Sequence, residues 1–182
     1  ADQQQFEQSD WVGLAWVELS TGQFFATRVP AQQISDELSR IQPVECLAVE
    51  EFEWQDALSD ESMMTTLRPA WEFAFEASGE TLSQHFGTMT LEGFGFSEDD
   101  RLAVRAAGGI IAYLNETQKS SLQHIDRLTP YRTGHCLEID QATRRSLEIT
   151  RTLRDGKREG SLLAVIDRTV TSMGSRRLAD WI

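Results

Sequence analysis

The residues of this sequence whose types could carry out a reaction are mostly carboxylates. Glu18 closes a nearly apolar run at 11–19, and Glu50, Glu51 and Glu53 follow a second short apolar run at 44–49. Carboxylates brought to the ends of neighbouring strands can hold two divalent cations and so hydrolyse a phosphodiester, which makes a two-metal nuclease the enzymatic alternative for this chain. The pattern is diluted, because 29 Asp and Glu place carboxylates on every solvated segment. The second half also adds no Asp or His in a recognisable catalytic setting. A phosphate-cradling loop needs Gly-x-x-x-x-Gly-Lys-Ser/Thr between a strand and a helix. The single Gly-Lys pair, Gly156-Lys157, has Arg151 in place of the first glycine and Arg158 in place of the hydroxyl. No Gly-x-Ser-x-Gly elbow accompanies a His, and Gly160-Ser161 reads as a helix cap. His85, His124 and His135 have no metal-ligand spacing with Cys46 and Cys136, and the two cysteines read as reduced small hydrophobes.

Two further groups remain. Arg151, Arg154, Lys157 and Arg158 form a cationic cluster that could meet nucleic-acid phosphates, although Asp155 and Glu159 interrupt it. Trp71, Phe73, Phe75, Phe94 and Phe96 could stack on bases, but in such acidic surroundings they read as core.

The elements that must position these residues follow from periodicity. Residues 11–19 and 23–29 read as strands joined at Ser20-Thr21-Gly22 into a hairpin. Pro30 then opens a helix whose Ala31, Ile34, Leu38 and Ile41 share one face, and Gln42-Pro43 ends it. Residues 44–49 are a third strand. An acidic stretch at 50–66 reads as a short helix with loops. Trp71, Phe73 and Phe75 alternate as in a half-buried strand, and 81–86 reads as a helix closed by Gly87. From Ser97 the pattern turns helical, with Ser97 and Asp100 as a capping box. Leu102, Ala106, Ile110, Tyr113, Leu114 and Thr117 line one face of that helix. Gly108-Gly109 inside it costs about 1 kcal/mol per glycine relative to alanine, which calls for close approach of another helix or for a kink. Residues 136–139 read as a short extended piece. Asp140 caps a helix expected to run to Leu153, and Ser161 and Thr171 cap two more.

Charge divides the chain. Residues 1–100 hold 20 acidic against 3 basic side chains, and residues 101–182 hold 9 against 14. The first part repels phosphate; the second tolerates it. The shift places an expected domain boundary at 96/97: an α/β domain over 1–96 and an all-α segment over 97–182. No apolar run approaches the roughly 20 residues that cross a bilayer, and no secretory leader is evident, so a cytoplasmic, non-membrane protein is expected. Ala1 is not an initiator Met and a helix still runs at Trp181-Ile182, the expected signs of a piece cut from a longer chain.

Several segments, in order along nearly the whole chain, resemble the MutS family of DNA mismatch-repair proteins. Residues 13–24 (GLAWVELSTGQF) resemble the hairpin that opens the family's connector domain, and 91–95 (LEGFG) the junction between connector and core. Ala106-Ala107-Gly108 with Tyr113-Leu114 and Thr117-Gln118 is similar to the first core helix. Residues 143–149 (TRRSLEI) and 160–178, with Asp167-Arg168-Thr169-Val170-Thr171 and Met173-Gly174-Ser175-Arg176, complete the likeness. Glu18 and Gln23 stand where the family usually has Asp and Glu, and Ser172 where it commonly has Pro.

The resemblance implies an RNase H-like connector domain followed by the start of an all-α core domain. It implies a non-catalytic segment that couples mismatch-DNA binding to the ATPase of the full-length protein, with no cofactor of its own; ATP and Mg would be bound elsewhere in that protein. It further implies a MutL-type partner on the connector, and mismatched DNA and a homodimer for the full-length protein. An RNase H-like metal-dependent nuclease domain is the alternative, built on the carboxylates named above.

Overall fold

The structure, a computed structural model, describes residues 11–50, 63–118, 122–132 and 139–182. It divides into two compact units, residues 1–135 and 136–182.

In the first unit, β1 (Trp11–Glu18) and β2 (Gln23–Pro30) form the expected antiparallel hairpin, with Trp11 opposite Pro30 and Glu18 opposite Gln23. Gly22 makes the turn at φ 74°, where a Cβ would meet the His124 carbonyl. A 3-10 turn at Ala31–Gln33 leads into α1 (Ile34–Ile41), which buries Ile34 and Leu38 against Val12, Leu14 and Val29. Gln42 ends α1 in the left-handed region at φ 50°. β3 (Glu45–Val49) pairs in parallel with β4 (Met64–Arg68) as a separate two-stranded sheet. α2 (Phe75–Phe86) closes on Gly87, as the sequence implies, but begins six residues earlier than expected. α3 (Arg101–Thr117) follows, and β5 (Leu128–Pro130) adds to β2 in parallel, giving the order β1-β2-β5.

Alternation along the hairpin assigns the two faces of this sheet. Phe24, Ala26 and Leu128 point into the main core with Ala103, Ala107 and Ile111 of α3. The opposite face meets α1. Gly13 lets α3 lie on β1, since a Cβ there would stand 2.0 Å from the Leu102 carbonyl oxygen.

The second unit holds α4 (Gln141–Ser146), α5 (Leu162–Ile166) and α6 (Ser172–Asp180), and no strand among its described residues. Asp140, Ser161 and Thr171 cap these helices as expected, each side chain accepting a backbone N–H three residues on.

Five expectations change. The alternating aromatics at 71–75 are no strand: Ala70–Phe73 is a 3-10 turn, and the strand of this region is 64–68. Turn chemistry overrides period two here. Pro69 lacks an N–H, and the Arg68 guanidinium grips Glu72 through Nε at 2.8 Å and Nη2 at 2.9 Å, curling the chain. Trp71 is therefore 70% exposed while Phe73 is buried. The helix expected across 50–66 falls mostly outside the described residues, and its end belongs to β4.

The helix from Asp140 stops at Ser146, because Glu148 turns left-handed at φ 48°. That turn buries Ile149 and lets the Glu148 and Ile149 carbonyls accept the N–H groups of Leu162 and Leu163.

α3 buries Ala103, Val104, Ala107, Gly108, Gly109, Ile111 and Leu114, a face turned away from the expected stripe, of which Leu114 alone is buried and Thr117 is exposed, because α3 packs on both α2 and the sheet. Lastly, α3 and β5 belong to the first unit, so the compact division at 135/136 differs from the boundary expected at 96/97, and β5 is a strand within the stretch expected to be all-α. Charge reports the solvated surface and says nothing of which helix completes a core. The extended piece expected at 136–139 lies outside the described residues except Ile139.

Candidate functional site

The carboxylates of the nuclease alternative are not assembled by the described residues. Glu18 uses its side chain on its own hairpin turn, accepting from the Ser20 N–H at 3.1 Å and hydroxyl at 2.7 Å. Glu50 is exposed beyond β3, in the other sheet, and Glu51 and Glu53 lie outside the described residues. Among the described residues no group of three or more His, Cys, Asp or Glu could hold a metal ion. His85 and His124 each hydrogen-bond a backbone carbonyl, that of Ile125 and that of Leu19, both at 2.8 Å. Burial, helped by Glu45, pushes the Cys46 thiol up to about 11, so it stays protonated and unreactive. His135 and Cys136 lie outside the described residues.

Except for Trp71, which is exposed, the aromatics take structural posts. Phe96 is in the core, Phe94 packs on Phe86 with centroids 5.0 Å apart, and Arg101 lies 4.1 Å over the Phe75 ring. Arg151, Arg154, Lys157 and Arg158 are all exposed, on the segment between α4 and α5 rather than in the last turn of a helix. Arg158 is bonded to Asp167 and to the Ser175 hydroxyl. Gly156-Lys157 sits in a turn with no strand before it among the described residues of its unit.

What the fold does assemble is a set of polar ties between distant segments. Asp100 is the innermost, 2% exposed. Its Oδ2 accepts from the Ser97 N–H at 2.9 Å and hydroxyl at 2.8 Å, which completes the capping box in front of α3. Arg132, just past β5, forks onto the same carboxylate at 2.8 and 3.0 Å and reaches the Gly95 carbonyl at 3.3 Å. Burial alone would raise the Asp100 pKa; the bonds from Arg132, then Ser97, outweigh it and hold the group below the usual carboxylate range.

A second tie joins the β3/β4 sheet to α3. Glu45 accepts from the Tyr113 hydroxyl and from Thr66, both at 2.7 Å, and Arg68 pairs with Glu116 as well as Glu72. The Glu45 bond raises the Tyr113 phenol above its ordinary pKa, with desolvation adding to it. Removing the hydroxyl with Tyr113→Phe should cost about 1 kcal/mol, read as a lower denaturant midpoint at unchanged m-value. No loss would mean that this bond does not hold the sheet.

In the second unit Asp167 has the same role. It accepts from the Ser175 hydroxyl at 2.6 Å, the Thr169 hydroxyl at 2.7 Å and N–H at 3.0 Å, and Arg158. These bonds outweigh desolvation and keep it ionised well below the ordinary carboxylate range. It ties residue 158 to the start of α6. The partners that cross between elements of the first unit, Arg132 with Asp100 and Tyr113 with Glu45, are far apart in sequence, whereas those of Asp167 lie within nine residues of it.

Such ties are suited to holding elements rigid and to transmitting displacement. Among the described residues the buried carboxylates, Glu72 and Asp100, are each occupied by an arginine. No helix among the described residues is long and apolar enough to cross a membrane.

Comparison with known proteins fits the two units. Residues 2–126 match the family model described as MutS domain II, and residues 142–182 match MutS domain III. The chain is 48% identical over 171 residues to the DNA mismatch repair protein MutS of Rhodopirellula baltica, covering 94% of the chain and 19% of that protein. It is 39% identical over 186 residues to the MutS of Halothermothrix orenii, covering 95% and 20%. It is 40% identical over 178 residues to that of Symbiobacterium thermophilum, covering 93% and 20%. The chain thus spans about a fifth of the length of the curated relatives it matches.

Proposed function

Because the chain belongs to the MutS family of DNA mismatch-repair proteins, we propose that it is a non-catalytic coupler: a connector followed by the start of the core, which relays mismatch-DNA binding to an ATPase carried elsewhere in the full-length protein. The observation that carries this reading is the succession of two matched domains on two compact units, the buried carboxylates described in the first being paired with arginines. The connector is assigned to the first unit. Its hairpin, parallel strands and helices on both faces of a sheet support an RNase H-like arrangement. Its strong negative charge suits protein docking better than contact with phosphate, which supports a MutL-type partner there. Mismatched DNA, homodimer formation, ATP and Mg are assigned to the full-length protein, and its place to the cytoplasm.

Calorimetric titration of the chain with Mg-ATP, and a gel shift with mismatched duplex, test this reading. No saturable binding is expected in either; micromolar affinity in either would overturn the assignment of both activities to other parts of the protein.

Arg151, Arg154, Lys157 and Arg158 are proposed to lie near DNA in the full-length protein, because they form an exposed cationic loop in a unit free of the first unit's negative charge. Each phosphate contact contributes about 0.9 to the slope of log affinity against log salt. Replacing Arg151, Arg154 and Lys157 together by Glu should therefore lower that slope by roughly 2 to 3 for duplex DNA. An unchanged slope removes this loop from the DNA path.

A further inference from the structure

The segment by which the chain leaves its first unit is held on two sides at once. Tyr131 extends the β2–β5 pairing by donating its N–H to the Ala26 carbonyl at 2.8 Å. Its ring meets the Trp16 ring edge-on, with centroids 5.1 Å apart, and Trp16 in turn stacks on Phe25 at 5.5 Å. The Arg40 guanidinium, in the last turn of α1, lies 4.5 Å from the Tyr131 ring centre and 5.0 Å from that of Trp16, with Glu37 bonded behind it. Trp16 and Phe25 alternate with the core-facing Ala15, Val17, Phe24 and Ala26, so this stack is on the α1 face.

The next residue, Arg132, goes the other way. Its fork ends on Asp100, in the capping box at the start of α3, the helix on the opposite face. A bidentate guanidinium–carboxylate pair fixes direction as well as distance, and a buried acceptor makes it costly to release. A guanidinium over aromatic rings adds a second attachment of different chemistry.

We infer that Tyr131 and Arg132 are positioning residues: a two-sided anchor that ties the chain leaving the first unit to α1 through an aromatic–guanidinium stack and to α3 through Asp100, and so delivers displacement between the two matched domains. The inference rests on the coupler reading above. A single attachment would let the exit pivot; two on adjacent residues, on opposite faces, do not. Anchoring of this kind makes the strength of relay depend on two side chains whose described partners all lie within the first unit.

The test uses a full-length MutS protein carrying these residues. Stimulation of its ATP hydrolysis by mismatched duplex is measured for the unchanged protein, Tyr131→Ala, Arg132→Gln, the double variant, and the conservative Tyr131→Phe and Arg132→Lys. The double variant should lose about tenfold in maximal stimulation, a typical size for a coupling between sites. The basal rate of hydrolysis and the duplex concentration at half-stimulation should stay unchanged, a split that simple unfolding would not give, since loss of folded protein lowers basal and stimulated rates together. Tyr131→Phe keeps the ring on Trp16 and should retain most of the stimulation; Arg132→Lys loses the fork and should fall between. Full stimulation in the double variant, with faster amide exchange at Ser97 and Tyr131 proving the anchor released, overturns this inference and leaves the coupler reading standing. If the double variant does not fold, full stimulation in Tyr131→Ala and Arg132→Gln overturns it equally. No stimulation in the unchanged protein overturns the coupler reading and the anchor with it.

Discussion

Replacing Gly108 by alanine is expected to destabilise the first unit by about 2 kcal/mol and to lower its melting temperature by roughly 5–10 °C. Two effects oppose each other. Alanine in a helix interior is better than glycine by about 1 kcal/mol. The new Cβ, however, would stand 2.3 Å from the Ser78 Cβ, 2.5 Å from its Cα and 2.7 Å from its Oγ. Carbon atoms in contact sit about 3.5–4.0 Å apart, so α2 and α3 must separate by more than an ångström. That separation opens the packing of Leu82 against α3 and strains the bond from the Ser78 hydroxyl to the Arg105 carbonyl. Overpacking a closed core costs about 1–3 kcal/mol, and here the obstacle includes backbone, which puts the cost at the upper end. Ser78→Gly in the same chain should recover part of the loss but not all, because the Ser78 Cα remains in the way. Gly79 supplies the contrast. It lies in α2 beside Ser78, and a Cβ added there would meet nothing within 4 Å, so Gly79→Ala should stabilise by up to about 1 kcal/mol. Thermal melts of the three variants check the set. A stable Gly108→Ala would show that α2 and α3 do not meet at Ser78.

Asp100→Asn should show a pH-dependent cost. At neutral pH the change removes the charge under the Arg132 fork and weakens the capping box. Losing a cap costs about 1 kcal/mol, and stranding the partner of a buried ion pair about 3–5. Arg132 is 55% exposed and can rehydrate, so a total of about 2–3 kcal/mol is expected. The sign with pH follows from the lowered pKa of Asp100 in the folded state. A carboxyl with a depressed folded pKa adds stability in full above its unfolded value of about 3.9 and loses it as pH falls through the folded value. The stability difference between the unchanged chain and Asp100→Asn should therefore be flat from pH 7 to about 5 and shrink in more acid solution. Denaturant unfolding across that range measures it. A gap that widens toward acid would mean that burial, and not Arg132, governs this carboxyl.

Features set by neighbours in sequence were legible. The hairpin follows from two β-rich runs around Ser20-Thr21-Gly22, and Asp140, Ser161 and Thr171 cap helices because capping is a contact over three residues. Gly108-Gly109 was legible as close approach of another helix or a kink, since an interior glycine pair is otherwise a pure loss, and Ser78 against Gly108 decides for close approach. The strand at 64–68 was not, because Met64 is 61% and Leu67 47% exposed and no alternation of apolar and polar residues marks the run. Trp71, Phe73 and Phe75 misled because Pro69 and an Arg68–Glu72 pair decide the local backbone there. The ties that define the candidate site were hidden for a simpler reason. Arg132 and Asp100 are 32 residues apart and Tyr113 and Glu45 68 apart, and no period connects them. The break between units was hidden too, because α3 changes the charge of the surface while completing the core of the first unit.

Hydrogen exchange on a full-length MutS protein carrying this chain, bound to mismatched duplex, tests the coupler most directly. Amides at 97–101 and 131–132 should change their protection when the bound nucleotide changes from ADP to ATP. Identical exchange there in both nucleotide states, with DNA and nucleotide both bound, would contradict a relay through this chain.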